Sequence, residues 1–254
     1  MNKLKPFNYE SPEYEYSNQR KEEPEIAARI LTALGSALTG LNVGAGAGSY
    51  EPADRHVVAV EPSSRMRAQR LARGLPPAVI AKADRLPFDD NSFSASMALL
   101  TVHHWPDLHA GLKEVLRVTK ERFVIMTFDP EALDEFWNVH YFPELVDIER
   151  KRYPAIAELS ALSGCIAKVE KVPVPLNCRD GFQEAFYGRP EEFLKKEVRE
   201  SQSAWGYLAG GDEDRLVMRL ASELESGRWD ERFGHYRHQP HFTGALRLIT
   251  LFKQ

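Results

Sequence analysis

Between Glu22 and Leu34 the apolar residues Ile26, Ile30, Leu31 and Leu34 recur at spacings of three and four, which predicts an amphipathic helix that Gly35 is placed to end. The pattern then changes. Leu41 to Val43, His56 to Val60, Ala78 to Ala81, Phe93 to Leu100 and Phe123 to Phe128 are short, nearly continuous apolar runs, as expected of parallel strands covered on both faces. Helical spacing lies between them. Ser63 can cap a helix that runs to Arg73 with Met66 and Leu71 available for packing. The stretch from Asp107 to Val118 puts Leu108, Leu112, Val115 and Leu116 on one side. This alternation predicts an α/β fold with a mainly parallel sheet and right-handed crossovers.

Beyond Asp129-Pro130 the alternation stops. The spacing of Phe136, Trp137, His140, Tyr141 and Leu145 predicts a helix from Glu131 to about Arg152, lying as a cap over the sheet. Lys168 to Val174 and Ala245 to Phe252 read as two further strands, and the segment between them has helical patterns around 190–201 and 212–225. The predicted organisation is an amino-terminal arm over 1–21, an α/β core over 22–130 and cap helices over 131–164. The last core strands fall at 165–176 and 243–254, and a helical substrate-cap insertion occupies 177–242.

Composition narrows the function classes. The chain has 254 residues, a formal charge of −4 and a pI near 6.1, so no broad basic field suggests nucleic acid or an anionic membrane as a partner. No run reaches the ~18 apolar residues that a membrane helix needs, and the start has no apolar signal core, so a cytoplasmic location is expected. Cys165 and Cys178 lack metal-ligand spacing, which points to reduced thiols and no metal site.

The candidate chemistry begins where the first strand breaks into Gly44-Ala45-Gly46-Ala47-Gly48. Glycine permits positive φ and lets a ligand approach the backbone closely. An acid, Glu61, ends the second strand, where one carboxylate can accept bonds from both hydroxyls of a ribose. Two ligand classes satisfy this. A dinucleotide also needs its pyrophosphate over a helix start, normally with Gly-x-Gly-x-x-Gly, and here Ser49 occupies the last position. The tighter glycine spacing suits S-adenosylmethionine, which has no phosphate.

From Leu41 to Asp129 the sequence resembles the class I S-adenosylmethionine-dependent methyltransferases, in their small-molecule branch, methyltransferase type 11. The resemblance rests on ordered motifs: Leu41 to Gly48, Val60-Glu61-Pro62-Ser63 with Met66, Leu86-Pro87-Phe88 before Ser92-Phe93, His103-His104-Trp105, and Glu114 to Val118. It implies a Rossmann-like seven-stranded sheet, mostly parallel with one antiparallel strand. It also implies S-adenosyl-L-methionine as cofactor and S-adenosyl-L-homocysteine as product. By that resemblance Gly44, Ala45, Gly46 and Gly48 border the methionine part, Glu61 holds the ribose, and Pro62 and Met66 line the adenine. Ala83 and Asp84 meet the adenine edge, backbone at Ala98 and Leu99 meets the ammonium, and Arg20 is the candidate for the carboxylate.

The family usually has acids where Asn42 and Ser94 stand. Its adenine aspartate falls on Lys82, with Asp84 two residues later. Lys120-Glu121-Arg122 replaces its usual Pro-Gly-Gly turn. His103 and His104 leave the fourth strand where the methyl should project, and His104 is the candidate base, titrating near neutrality. Tyr16, Trp105, His140 and Tyr141 are candidate contacts for a small-molecule acceptor, in a monomer or homodimer. The reading is a methyltransferase acting on oxygen, nitrogen or carbon of that acceptor. The alternatives are a non-catalytic S-adenosylmethionine-binding partner protein and, disfavoured by Ser49, an NAD-dependent dehydrogenase.

Overall fold

The computed structural model describes residues 19–254, so Tyr16 and most of the predicted arm lie outside the described residues. In chain order the elements are α1 (Pro24–Leu34), β1 (Thr39–Val43), β2 (His56–Val60), α2 (Ser64–Ala72), β3 (Phe93–Leu99), α3 (Leu108–Val118) and β4 (Thr119–Phe128). There follow α4 (Asn138–Tyr141), α5 (Pro143–Arg152), α6 (Ile156–Ser163), β5 (Ile166–Lys171), β6 (Val174–Pro175), α7 (Lys196–Glu200), α8 (Asp212–Glu225), α9 (Arg228–Phe233), β7 (His241–Phe242) and β8 (Leu246–Phe252).

A six-stranded sheet runs in the order β2-β1-β3-β4-β8-β5, and β6 pairs with β7 separately. The pairs β1·β2, β1·β3 and β3·β4 are parallel, while β8 is antiparallel to both β4 and β5. The chain moves from β1 outward to β2 and then crosses back to β3. The strand order therefore reverses between β1 and β3, which is where open α/β sheets leave a crevice at their carboxyl ends.

Of the seven expected strands the third, Ala78 to Ala81, is reduced to a single parallel bridge between Val79 and Val60. Pro76 and Pro77 remove amide donors just before it, and Ile80 is 71 % exposed, so little holds a longer ladder. Lys120-Glu121-Arg122, expected as a turn, lies inside β4. The single helix expected over 131–152 is interrupted. Pro143 opens α5 and forces Phe142 before it out of helical geometry, at φ −128° and ψ 50°.

Successive residues of β4 point to opposite faces, and this sorts the core into two layers. Val124 and Met126 join Ile26 and Ile30 of α1 and the aromatic side chains Trp137, Phe142, Phe193 and Trp229. Phe123 and Ile125 join Leu41, Leu112, Val115 and Leu159 on the other side. Leu159 belongs to α6, so that helix covers the sheet opposite the cap and is part of the core, contrary to its expected place among cap helices. The rest of the cap packs directly on the sheet through one continuous apolar layer.

The glycine-rich turn after β1 is braced from beneath by a buried ion pair. Arg70 of α2 is fully buried and donates to both oxygens of Glu51, at 2.7 and 2.8 Å. Asn42 donates its amide to the same Glu51 at 2.9 Å. That contact explains the missing acid: an aspartate at 42 would set two carboxylates together. Ser94 bonds Thr39 at the amino end of the sheet, away from the crevice. Arg70→Met should lower unfolding stability by about 3 kcal/mol, the usual cost of leaving a buried charge unpaired, as read by urea denaturation.

Candidate active site

Gly44, Gly46 and Gly48 have φ of 71°, 54° and 89°, values that favour glycine, and each turns the backbone after β1. A Cβ on Gly44 would sit 2.2 Å from Thr101 Oγ1, so strand exits β1 and β3 meet there with no spare room. The amides of Gly44 and Ala45 bond the carbonyl of Val60, which draws the turn onto the end of β2. Glu61, 6 % exposed, then accepts from the Gly46 amide through Oε2 and from the Ser63 amide through Oε1, both at 2.8 Å. A carboxylate has about four lone-pair sites, so two backbone bonds do not by themselves exhaust it.

A cavity of about 270 Å³ opens at this point. The glycine turn, Glu61, Pro62 and Met66 form one wall, and Leu99, Leu100 and Thr101 at the exit of β3 form another. A tight turn, in which the Arg85 amide bonds the Lys82 carbonyl, brings both Lys82 and Asp84 to the rim. Trp105 reaches the same cavity because Gly111 of α3 leaves space under its ring. A Cβ there would lie 2.4 Å from the indole. Arg20 also lines it while its guanidinium faces Asp180, and Tyr50 donates to the other Asp180 oxygen at 2.9 Å. These bonds tie the glycine turn to the amino-terminal segment and the cap.

A second chamber, of about 60 Å³, abuts the first and shares Arg20, Leu100 and His104 with it. Leu100 has φ 53°, a left-handed conformation costly for leucine, at this shared wall. Apolar residues including Phe128, Phe136, Tyr153 and Phe182 surround the chamber, with Asn138, Glu149, Gln183 and Glu184 set among them. His103 and His104 stand with ring centres 3.9 Å apart, and His103 meets the Tyr153 ring at 4.6 Å. His103 Nδ1 is buried without a hydrogen-bond partner.

Ten of the twelve expected cofactor residues line the larger cavity: Arg20, Gly44, Ala45, Gly46, Glu61, Pro62, Met66, Ala83, Asp84 and Leu99. Gly48 does not. Its α-carbon is packed against Leu75 and Arg70, so its role is in bracing the turn. Ala98 is fully buried in the apolar layer, and Leu100 follows Leu99 in the wall instead. Among the expected acceptor contacts, Trp105 lies on the larger cavity and not on the chamber. His140 stacks on Phe233 at 5.5 Å at the surface, and Tyr141 is buried in cap packing beside Trp137. Asn138, Glu149, Gln183, Glu184 and Ser203 were not foreseen, because only folding brings these separated residues together.

The geometry agrees with the comparisons. Residues 41–126 match the family model of the methyltransferase domain, and the fold is that of S-adenosylmethionine-dependent methyltransferases. A protein assigned as a methyltransferase from an antibiotic biosynthesis pathway of Anabaena variabilis superposes with a TM-score of 0.84. It is 25 % identical, and the match covers 92 % of this chain and 99 % of that one. A malonyl-acyl-carrier-protein O-methyltransferase of Halorhodospira halophila is 31 % identical over 150 residues, which is 49 % of this chain and 51 % of that protein. The uncharacterized methyltransferase YcgJ of Bacillus subtilis is 34 % identical over 85 residues, 32 % and 33 % of the two chains. This chain therefore spans about half or less of the curated relatives it matches. Among the described residues, no helix is long and apolar enough to cross a membrane.

The histidines differ from expectation in their ionisation. Burial pulls His104 down to about 3, with the Arg152 guanidinium adding to the effect. Burial, then the charges of His104, Arg152 and Arg20, hold His103 well below its ordinary value. Both rings are neutral at pH 7, and neither titrates near neutrality. A histidine whose folded pKa is depressed costs stability once the unfolded chain begins to bind its proton. For His104 that loss begins as pH falls through 6.5 and continues toward about 3. Between pH 7.5 and pH 5 the wild-type protein should lose about 2 kcal/mol more stability than His104→Gln, measured by denaturant melts. Equal losses in the two proteins would show that His104 titrates normally.

Proposed function

We propose that the protein transfers the methyl group of S-adenosylmethionine to an oxygen, nitrogen or carbon of a small-molecule acceptor. The observation that carries this reading is the pair of abutting cavities: one floored by the glycine turn and Glu61, the other enclosed by the cap, with His104, Leu100 and Arg20 between them. The residues fit the cofactor. Glu61 would accept from the ribose hydroxyls, the Ala83-Asp84 turn and Met66 would bound the base, and backbone at Leu99 and Leu100 would face the amino-acid end. Arg20 would stand near the carboxylate.

When bound, the cofactor supplies a methyl on a sulfonium, already a good leaving group. The protein's task is to hold the nucleophile in line behind that methyl and keep water out, and proximity can supply much of the rate. His104, neutral and weakly basic, suits hydrogen bonding and positioning better than proton removal. A dinucleotide is disfavoured on two physical grounds. The Gly46 amide, which would be needed for phosphate, is already bonded to a carboxylate, and residues 44–55 between β1 and β2 form turns and coil with no helix start to face a pyrophosphate.

Incubation with methyl-labelled S-adenosylmethionine and a metabolite extract tests the proposal. Label should appear in small molecules, with S-adenosylhomocysteine formed in equal amount. Label confined to nucleic acid or protein would contradict the acceptor class. Tight cofactor binding with no transfer to any fraction would favour a non-catalytic binding protein.

A further inference from the structure

Hydrogen-bond polarity in the smaller chamber can be deduced from its fixed charges. Burial pushes the Glu149 carboxyl up and the Arg152 guanidinium opposes it, donating to Oε2 at 3.1 Å, so that oxygen is an acceptor. Glu149 Oε1 receives the Gln183 amide nitrogen, at 3.1 Å. Gln183 Oε1 is thereby turned toward Asn138, whose Nδ2 donates to it at 2.8 Å. The chain of bonds fixes an amide orientation that distance alone would leave open, and it leaves Asn138 Oδ1 as an acceptor. That oxygen is buried and has no partner.

A second acceptor stands in the same chamber. Glu184 uses Oε1 for the Ala245 amide at 2.6 Å and the Leu246 amide also approaches its carboxyl, while Oε2 is buried with no partner at hydrogen-bond geometry. Asn138 is 4 % exposed and Glu184 3 %, so bulk water does not solvate either oxygen. The nearby cations face acids already: Arg20 faces Asp180, Arg152 faces Glu149, and Arg247 faces Asp129 at 3.1 Å. Among the described residues each of these cations is already paired, so an anionic ligand would have to share one of them with its carboxylate. A ligand carrying N–H or O–H groups would satisfy two buried acceptors that are otherwise left unmet.

We infer that the chamber selects a neutral or cationic acceptor molecule bearing amine or hydroxyl donors, which Asn138 Oδ1 and Glu184 Oε2 receive, and that it rejects carboxylates. The inference rests on the proposed assignment of the larger cavity to the cofactor. Burial pushes Glu184 up to about 7, so the probes are compared at pH 8, where its carboxylate is mostly ionised and accepts. The apolar walls Phe128, Phe136 and Phe182 would take the ligand's hydrocarbon part.

The test uses three matched probes, n-butylamine, n-butanol and n-butyrate, on the full chain saturated with S-adenosylhomocysteine, with binding read by ligand-observed NMR. Cofactor-product binding is measured first. Its failure would overturn the proposed function, independently of the probes. Given that complex, the amine and the alcohol should bind at least tenfold more tightly than butyrate. Glu184→Gln places a donor where the free acceptor stands, and Asn138→Leu removes the other acceptor. Each should weaken the donor probes at least fivefold while leaving S-adenosylhomocysteine affinity unchanged. The inference is overturned if butyrate binds as well as the amine, if neither donor probe binds at tens of millimolar, or if both variants bind the probes as wild type does.

Discussion

Two hydrogen bonds to one carboxylate set the geometry of the cofactor side of the site. Glu61 receives the Gly46 amide with one oxygen and the Ser63 amide with the other. The first bond fixes the glycine turn against β2. The second fixes the start of α2, whose cap Ser63 in turn accepts from Met66. The residue proposed to hold the ribose is thus also the residue that shapes the wall around it. Charge-assisted bonds from backbone to a buried carboxylate are roughly twice as strong as neutral ones, which suits a turn carrying several residues at positive φ.

Around that centre the fold divides the work between its two apolar layers. The layer of β1, β3, β4 and α3 provides a rigid floor, and the reversal of strand order between β1 and β3 opens the crevice. The other layer runs without a break from α1 into the cap, so the acceptor chamber is walled by the same packing that stabilises the domain. Tyr50, Asp180 and Arg20 join the glycine turn, the cap and the amino-terminal segment in one hydrogen-bonded group. Movement of any of the three would be felt by both cavities, which share Arg20.

The cofactor half was legible in the sequence because its signals are local. Three glycines at alternate positions, an acid at a strand end, and apolar runs separated by helical spacing each occupy a few consecutive residues. Gly48 and Ala98 do not line the cavity, because period and motif do not tell a ligand-facing position from a neighbour that braces it. Arg70, beneath Gly48, could not be foreseen from α2 alone. The acceptor chamber was illegible because Asn138, Glu149, Gln183, Glu184 and Ser203 converge from separate segments, each with an ordinary local pattern. His140 and Tyr141 drew attention as aromatic and polar side chains, yet the cap used them for packing. The His104 ionisation was missed because burial, which lowers it, is a property of the fold.

Glu61 is proposed to hold a ribose as well as the loop. Calorimetric binding of S-adenosylhomocysteine and its 2′-deoxy analogue to wild type and Glu61→Gln separates the two roles. Wild type should bind the natural ligand ~10-fold more tightly than the analogue, as expected for a lost charge-assisted hydrogen bond, and this preference should largely disappear in the folded variant. An equal preference for the 2′-hydroxyl in both proteins would place the ribose elsewhere.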